Sequence, residues 1–457
     1  MQTSAKQVRS IDRARLKALM QREQERFTAE HPQSRELHQR ATHSLLSGVP
    51  MNWMVKWAGA FPVFVKQARG AHFTDVDGHE YVDLCLGDTG AMTGHSPEAA
   101  VHAITEQARR GITFMLPTED AIWVGEELKR RFGLPYWQFC LTATDANRFS
   151  IRVAREVTQR RLVLVFNYCY HGTVDESFIT LKDGVPGPRR GNIGPPVNPT
   201  ETTRVVEFND IEGLEKALAT GEIACVLAEP ALTNVGIVHP EPGFHEALRE
   251  LTRKYGTLLI IDETHTICTG PGGYTREYDL EPDFFVLGKP IASGLPSATY
   301  GFTAEVGERI LKRIHLEDCD TGGIGGTLAG NALSLAAMRA TLERVLTPAA
   351  FEHMIPLAER FTRGVEHAIH AAELPWHVTR LGCRAEYLFT DKRPRNGAEA
   401  AAAMDFELER FMHLYALNRG ILLTPFHNMA LMSPATSAED VDEHTAAFRE
   451  AVEELAG

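Results

Sequence analysis

Three short stretches hold residues that chemistry could use, and each stands where an apolar run stops. In the first, Phe284-Phe-Val-Leu287 ends at Gly288 and Lys289 follows at once, with Pro290 and Gly294 blocking a helical continuation. Burying an ammonium is costly unless it is paired or discharged. Lys289 therefore either snorkels out of a strand end or uses its nitrogen, for example in an imine with an aldehyde cofactor. In the second, Leu258-Leu-Ile-Ile261 runs into Asp262-Glu263-Thr264. An aspartate there needs a positive partner, through a salt bridge, a helix cap or a pyridinium nitrogen. At about 4 Å and an effective dielectric of about 20, a pyridinium would gain roughly 4 kcal/mol, about three pKa units in favour of a protonated ring. In the third, Leu141-Thr142-Ala143-Thr144-Asp145-Ala146 turns a strand into a helix with Ala146, Phe149, Val153 and Val157 on one face. Its small residues and hydroxyls make either an ordinary N-cap or an anion site at the positive helix end. The spacing of 27 residues from Asp262 to Lys289 leaves room for a helix or loop and one strand, so both can reach neighbouring strand ends. Together the three suggest a phosphate cup, a ring anchor and an imine lysine.

The elements that must position these groups follow from periodicity. Apolar runs at Gln138–Leu141, Leu162–Phe166, Ala224–Ala228, Leu258–Ile261, Phe284–Leu287 and Thr299–Phe302 alternate with helical patterns near 145–158, 211–219 and 243–254. This predicts an α/β fold with a mainly parallel, doubly wound sheet, in which function gathers at the C-terminal strand ends. The Pro- and Gly-rich segment 182–199 reads as a long loop, and Gly270-Pro-Gly-Gly273 as a turn. Before the sheet, residues 1–45 read as a polar helical arm and 97–132 as helical. Short strand-like runs at Val63–Val65, His72–Thr74 and Tyr81–Cys85 form an antiparallel signature. After Gly330, long helices (Ala332–Val345, Ala350–Ala372, Ala438–Leu455) mix with short strands around Val378, Tyr387–Phe389 and Ile421–Leu423. The expected division is an arm and part of a small α+β domain over 1–87, a large domain over 88–330, and the rest of the small domain over 331–457.

At 457 residues, with 44% hydrophobic and 23% charged residues, the chain can bury a large core. The net charge of -13 argues against nucleic acid as a partner. No apolar run of membrane-spanning length and no signal-peptide pattern occur. Seven scattered cysteines without a CxxC pair predict reduced thiols in a cytoplasmic protein and no metal site. Neither GxGxxG nor GxxxxGK[ST] is present, which disfavours dehydrogenase and nucleotide-hydrolase readings.

Further motifs stand in order along the chain: Asp75-Val-Asp77-Gly78 with Tyr81 and Asp83, Gly94-His95, Tyr170-His171-Gly172, Glu229-Pro230, Ile261-Asp262-Glu263, Leu287-Gly288-Lys289 and Gly326-Thr327. With them the chain, over roughly 60–445, resembles pyridoxal-phosphate enzymes of fold type I. The likeness is to the class III aminotransferases, within them glutamate-1-semialdehyde aminomutases and β-amino-acid transaminases. The resemblance implies pyridoxal 5'-phosphate as cofactor, with Lys289 as imine lysine and proton shuttle and Asp262 on the ring nitrogen. It places Ala143 and Thr144 on the phosphate, Tyr170 against the ring with His171 nearby, and Glu229 and Thr264 among the cofactor contacts. It also implies a homodimer in which Thr327 completes the neighbour's site.

The chain departs from the family on the substrate side. The phosphate loop usually reads Ser-Gly-Thr-Glu, and here Thr142-Ala143-Thr144-Asp145 stands in its place. Arginines found in relatives after the Asp-Glu pair, after a late proline and near the early aromatic patch have no counterpart at Thr264-His265-Thr266, Pro425-Phe426-His427 or Asn52-Trp53-Met54. Without those bidentate donors, Trp53, Trp57 and Phe426 are expected to line an aromatic substrate pocket with His265 and His427 as polar contacts. The expected activity is a transaminase taking a bulky or aromatic amine or amino acid and a carbonyl acceptor. The alternatives are an aminomutase or amino-acid racemase, or a non-catalytic cofactor-binding relative.

Overall fold

The computed structural model describes residues 11–314 and 322–457. Its centre is a seven-stranded sheet ordered Tyr136–Cys140, Ala298–Phe302, Phe284–Leu287, Leu258–Asp262, Ile223–Ala228, Leu162–Phe166 and Thr203–Val206. Ala298–Phe302 runs antiparallel to both neighbours, and the other pairs are parallel. Strands covered on both faces read as unbroken apolar runs, and Leu162–Phe166, Ile223–Ala228 and Phe284–Leu287 are buried throughout. Alternate side chains face opposite layers. Phe285 and Leu287 join one hydrophobic cluster, and Phe284 and Val286 join the other.

Register brings the chemistry together. Asp262 pairs with Val286, three residues before Lys289, and Ile261 pairs with Ala228, the residue before Glu229. Helix Ala143–Thr158 follows Tyr136–Cys140 and buries Ala146, Phe149, Val153 and Val157 as its periodicity required. The two chain ends meet in a smaller α+β part. Val65–Arg69, His72–Asp75 and Glu80–Asp83 form a sheet completed by Ile421–Leu422, and His377–Leu381, Arg384–Leu388 and Met429–Leu431 form another.

Several expectations need correction. The segment 182–199 is not a plain loop, because Ile179–Lys182 and Val185–Pro188 pair as a hairpin. Its turn is Asp183-Gly184, both at positive φ (52° and 76°), a sequence suited to a two-residue hairpin loop. The prolines obscured this strand, and they sit in a two-stranded ribbon where few N–H groups are needed. The edge strand Thr203–Val206 and the strand Met429–Leu431 had no strong apolar signal of their own. Residues 97–132 split into helices Glu98–Arg110 and Glu119–Phe132, with Gly111 at φ 113° between them. Of the arm, Arg13–Glu30 and Pro32–Ala41 are helices. The six described cysteines are buried and unpaired, and Cys319 lies outside the described residues. Among the described residues no helix is long and apolar enough to cross a membrane.

Candidate active site

Asp262 is fixed more firmly than a lone strand-end carboxylate would be. Thr264 donates to one oxygen through its N–H (3.1 Å) and its hydroxyl (2.6 Å), while Asn147 Nδ2 (2.7 Å) and His171 Nδ1 (2.9 Å) meet the other. Burial favours the neutral acid, but the hydrogen bonds from His171, Thr264 and Asn147 and the histidine's charge outweigh it, holding the carboxyl below its ordinary value. For His171, burial opposes the charged ring, yet the Cys169 sulfur and the Asp262 carboxylate raise it to about 10. His171 thus lies under Asp262 and braces it.

The first turn of helix Ala143–Thr158 lines the same cavity. The Thr142 side chain caps Asp145 N at 3.1 Å, leaving the Ala143 and Thr144 amides as the orphan donors of a helix start. Ala143 is the first helical residue and is not among those at positive φ, so alanine is unstrained where relatives carry glycine. Packing is close on both sides. A side chain at Gly172 would collide with Thr144 Oγ1, and one at Gly288 would meet Ala143 Cβ at 2.9 Å.

Lys289 closes the constellation. It sits at φ 47°, in the left-handed region that disfavours side chains. This turns it out of the strand, where Nζ lies 2.9 Å from Asp88 Oδ2 and 2.6 Å from His265 Nε2. The fully buried Arg384 holds His265 from behind, donating to its Nδ1 at 2.6 Å and to Thr233 O at 2.9 Å. Burial, then the charge of Lys289, push His265 well below its ordinary value, so the ring is neutral.

These groups surround a cavity of about 440 Å³ whose lining includes Trp53, Thr144, Tyr170, Asp262, His265 and Lys289. Ala143 and Thr264 line it as well. Phe426 lies one ring away, edge-on to Trp53 at 5.5 Å, and Tyr170 meets Trp53 at 5.6 Å. Glu229 holds the neighbouring loops, accepting from Tyr170 N and from the Thr233 N–H and hydroxyl. Trp57 and His427 are not among the lining residues. His427 is buried 3.5 Å from Glu386. Thr327 is exposed, outside this chain's own cavity. The sequence reading missed Asp88, Asn147 and Arg384. Only Gly87-Asp88-Thr89-Gly90, a turn-like run after a strand, offered a signal. His31, Asp75 and His79 also gather, but hydrogen bonds to Tyr81, Phe27 O and each other account for them.

The residues present fit pyridoxal phosphate. An anion-binding helix start, a fixed carboxylate and a lysine nitrogen share one cavity, and the Gly172 and Gly288 contacts leave no space for larger side chains around that helix start.

Over residues 53–452 the chain matches the profile of the family described as aminotransferase class-III. A glutamate-1-semialdehyde 2,1-aminomutase from Sorangium cellulosum is 35% identical over 432 residues, 92% of this chain and 96% of that protein. The crystal structure of a glutamate-1-semialdehyde-aminomutase from Pseudomonas aeruginosa PAO1, a lysine-to-alanine form in complex with PMP, has a TM-score of 0.96 at 52% identity. It covers 97% of this chain and 99% of that one. An omega-transaminase from Sphaerobacter thermophilus has a TM-score of 0.83 at 28% identity, covering 93% and 98%.

Proposed function

The chain belongs to the class III aminotransferase family, and on that premise we propose that it is a pyridoxal-phosphate-dependent aminomutase, moving an amino group between neighbouring carbons of one small substrate. The similarity to glutamate-1-semialdehyde aminomutases over nearly the whole chain supports this reading. The observation that carries it is the charge of the cavity. Lys289 is the only lysine or arginine among the described residues that line it. A cycle that turns over with a dicarboxylic co-substrate calls for a planar bidentate cation, and none lines the cavity; an isomerisation needs no co-substrate.

When bound, pyridoxal phosphate supplies an electron sink for negative charge on the substrate carbon beside the nitrogen. The chain's residues do the rest. Asp262 holds a positive ring nitrogen, and the Ala143 and Thr144 amides face the phosphate. Lys289 takes a proton from one substrate carbon and returns it to another. Trp53 and Tyr170 cover the cavity and exclude water. A homodimer, with Thr327 presented to the partner's site, belongs to the same reading.

Glutamate 1-semialdehyde supplied alone tests it. The expected product is an isomer of equal mass with the amino group on the adjacent carbon, followed by NMR. Turnover only with added carbonyl acceptor would reject it. The second reading, a transaminase for bulky or aromatic amines, draws on the Trp53, Tyr170 and Phe426 rings. It predicts stoichiometric carbonyl release from donor alone.

A further inference from the structure

Among the described residues, Asp88 is the one acidic side chain that meets the Lys289 nitrogen, and it has no place in the proposed cofactor anchor. The loop that delivers it is strained: Leu86, Gly87, Asp88 and Thr89 stand in succession at φ 45°, 57°, 50° and 80°. Three non-glycine residues there cost conformational energy, which persists where surrounding structure enforces it. The loop's reward is a carboxylate beside the cavity, flanked by the lining residues Gly87 and Gly90. Its Oδ2 lies 2.9 Å from Lys289 Nζ, and its Oδ1 is buried without a hydrogen-bond partner. Burial favours the neutral acid, but the charge of Lys289, with that of Arg384 behind His265, outweighs it and keeps Asp88 ionised, well below its ordinary value.

Lys289 cannot serve Asp88 and a cofactor at once. When its nitrogen is engaged elsewhere, a mostly buried carboxylate (14% exposed) loses its nearest cation, and such a charge is costly unless another replaces it. Arg384 remains, but it is held behind His265, which it meets at 2.6 Å, and no lysine or arginine besides Lys289 is among the described lining residues. We propose that Asp88 is a specificity-determining residue that pairs with the ammonium of the incoming substrate and disfavours substrates carrying a carboxylate on the reacting carbon. An ammonium satisfies Asp88 in place of Lys289, whereas a carboxylate on the same carbon brings a like charge against it. The substrate nitrogen must shed a proton before it can take the place of the lysine nitrogen; the departing Lys289 nitrogen takes up that proton, and Asp88 receives it as an ammonium in the contact the structure shows. This proposal rests on the reading of Lys289 as the reacting lysine and adds the group that chooses its substrate.

The test uses the cofactor-loaded protein, D88N and D88E, with 1-phenylethylamine and phenylalanine as matched donors followed spectroscopically in a single half-reaction. The wild-type protein is expected to prefer the amine by at least about tenfold in rate over half-saturation concentration. D88N should narrow that preference to within about threefold, mainly by weakening saturation with the amine, and D88E should restore it. A second readout needs no cofactor: labelling of Lys289 by acetic anhydride, by mass spectrometry against exposed lysines. Loss of the counter-charge in D88N should raise it several-fold. A wild-type protein with no amine preference, a D88N ratio equal to wild type, or unchanged Lys289 labelling would each overturn the proposal. The first of these needs no variant to fold. Product identity with glutamate 1-semialdehyde tests the aminomutase reading separately, so either idea can fail alone.

Discussion

Replacing Asp262, the proposed ring anchor, with asparagine isolates its charge at nearly constant shape. The side chain now accepts from Thr264 on one oxygen and from Asn147 and His171 on the other. An amide must turn its NH2 to one pair. Toward Thr264 it would face a backbone N–H that cannot reverse. Toward the other pair, Asn147 can present its buried, unpartnered Oδ1, and His171 can give up its proton and accept at Nδ1. The second arrangement gives up the 3.3 Å bond from Asn147 Nδ2 to His171 O but still costs less, and its main cost is the His171–Asp262 charge pair. Breaking a buried pair costs about 3–5 kcal/mol, and neutralisation of His171 returns part, so a loss of about 2–3 kcal/mol is expected. Urea unfolding of the cofactor-free protein measures it. The sign with pH is defined. His171 is raised to about 10 in the folded protein, so its stabilisation is complete below the ordinary histidine range and is lost as pH rises through about 10. D262N should flatten that decline. In the loaded protein, loss of roughly 4 kcal/mol at the ring nitrogen corresponds to about a thousandfold fall in kcat/KM. An analogue with a permanently positive ring nitrogen should recover part of it. A loaded D262N within tenfold of wild type would refute the anchor role of Asp262.

Other substitutions test the surroundings. G288A forces a methyl to 2.9 Å from Ala143 Cβ; it should cost about 1–3 kcal/mol in unfolding experiments and weaken cofactor affinity in equilibrium dialysis. Glu409 is pushed up to about 7, first by burial and then by Glu386 and Asp405 against His427 and Arg410. A raised carboxyl favours folding at acid pH and loses that advantage as pH rises through about 7. E409Q should therefore stabilise the protein by up to roughly 3 kcal/mol at pH 8 and little at pH 5. W53A removes the ring between Tyr170 and Phe426 and should raise KM for aromatic amines about tenfold, leaving small amines less affected. Lys56 lies 5.0 Å from the Phe426 ring and 5.3 Å from the Trp53 ring; K56Q should raise KM several-fold for substrates with a carboxylate far from the amine, measured against uncharged homologues.

The cofactor side of the cavity was legible because its signals are local. A buried parallel strand is an unbroken apolar run, so a lysine or aspartate at its end stands out. A helix start advertises itself by small hydroxyl residues before an apolar period. Lys289, Asp262 and Thr142–Asp145 follow from such patterns, as do the central strands to within about two residues. The ordered family motifs made Tyr170 and Glu229 visible too. The hairpin Ile179–Pro188 was hidden by its prolines, and Thr203–Val206 by the lack of a long apolar run.

The substrate side was decided by distance in sequence. Asp88 reaches Lys289 across 201 positions, and Arg384 reaches His265 across 119. Arg384 starts a strand whose five residues are all buried, a place where a guanidinium has no periodic signature; His265 and Thr233 meet it, and the buried Glu386 carboxylate lies 4.0 Å away. Sequence alone singled out Thr142–Asp145, Asp262 and Lys289 as residues with the chemistry to hold a phosphate, a ring nitrogen and an imine, since each depends on one strand end. Tertiary structure decided what surrounds the lysine nitrogen, because Asp88 and the Arg384 behind His265 arrive there from far along the chain.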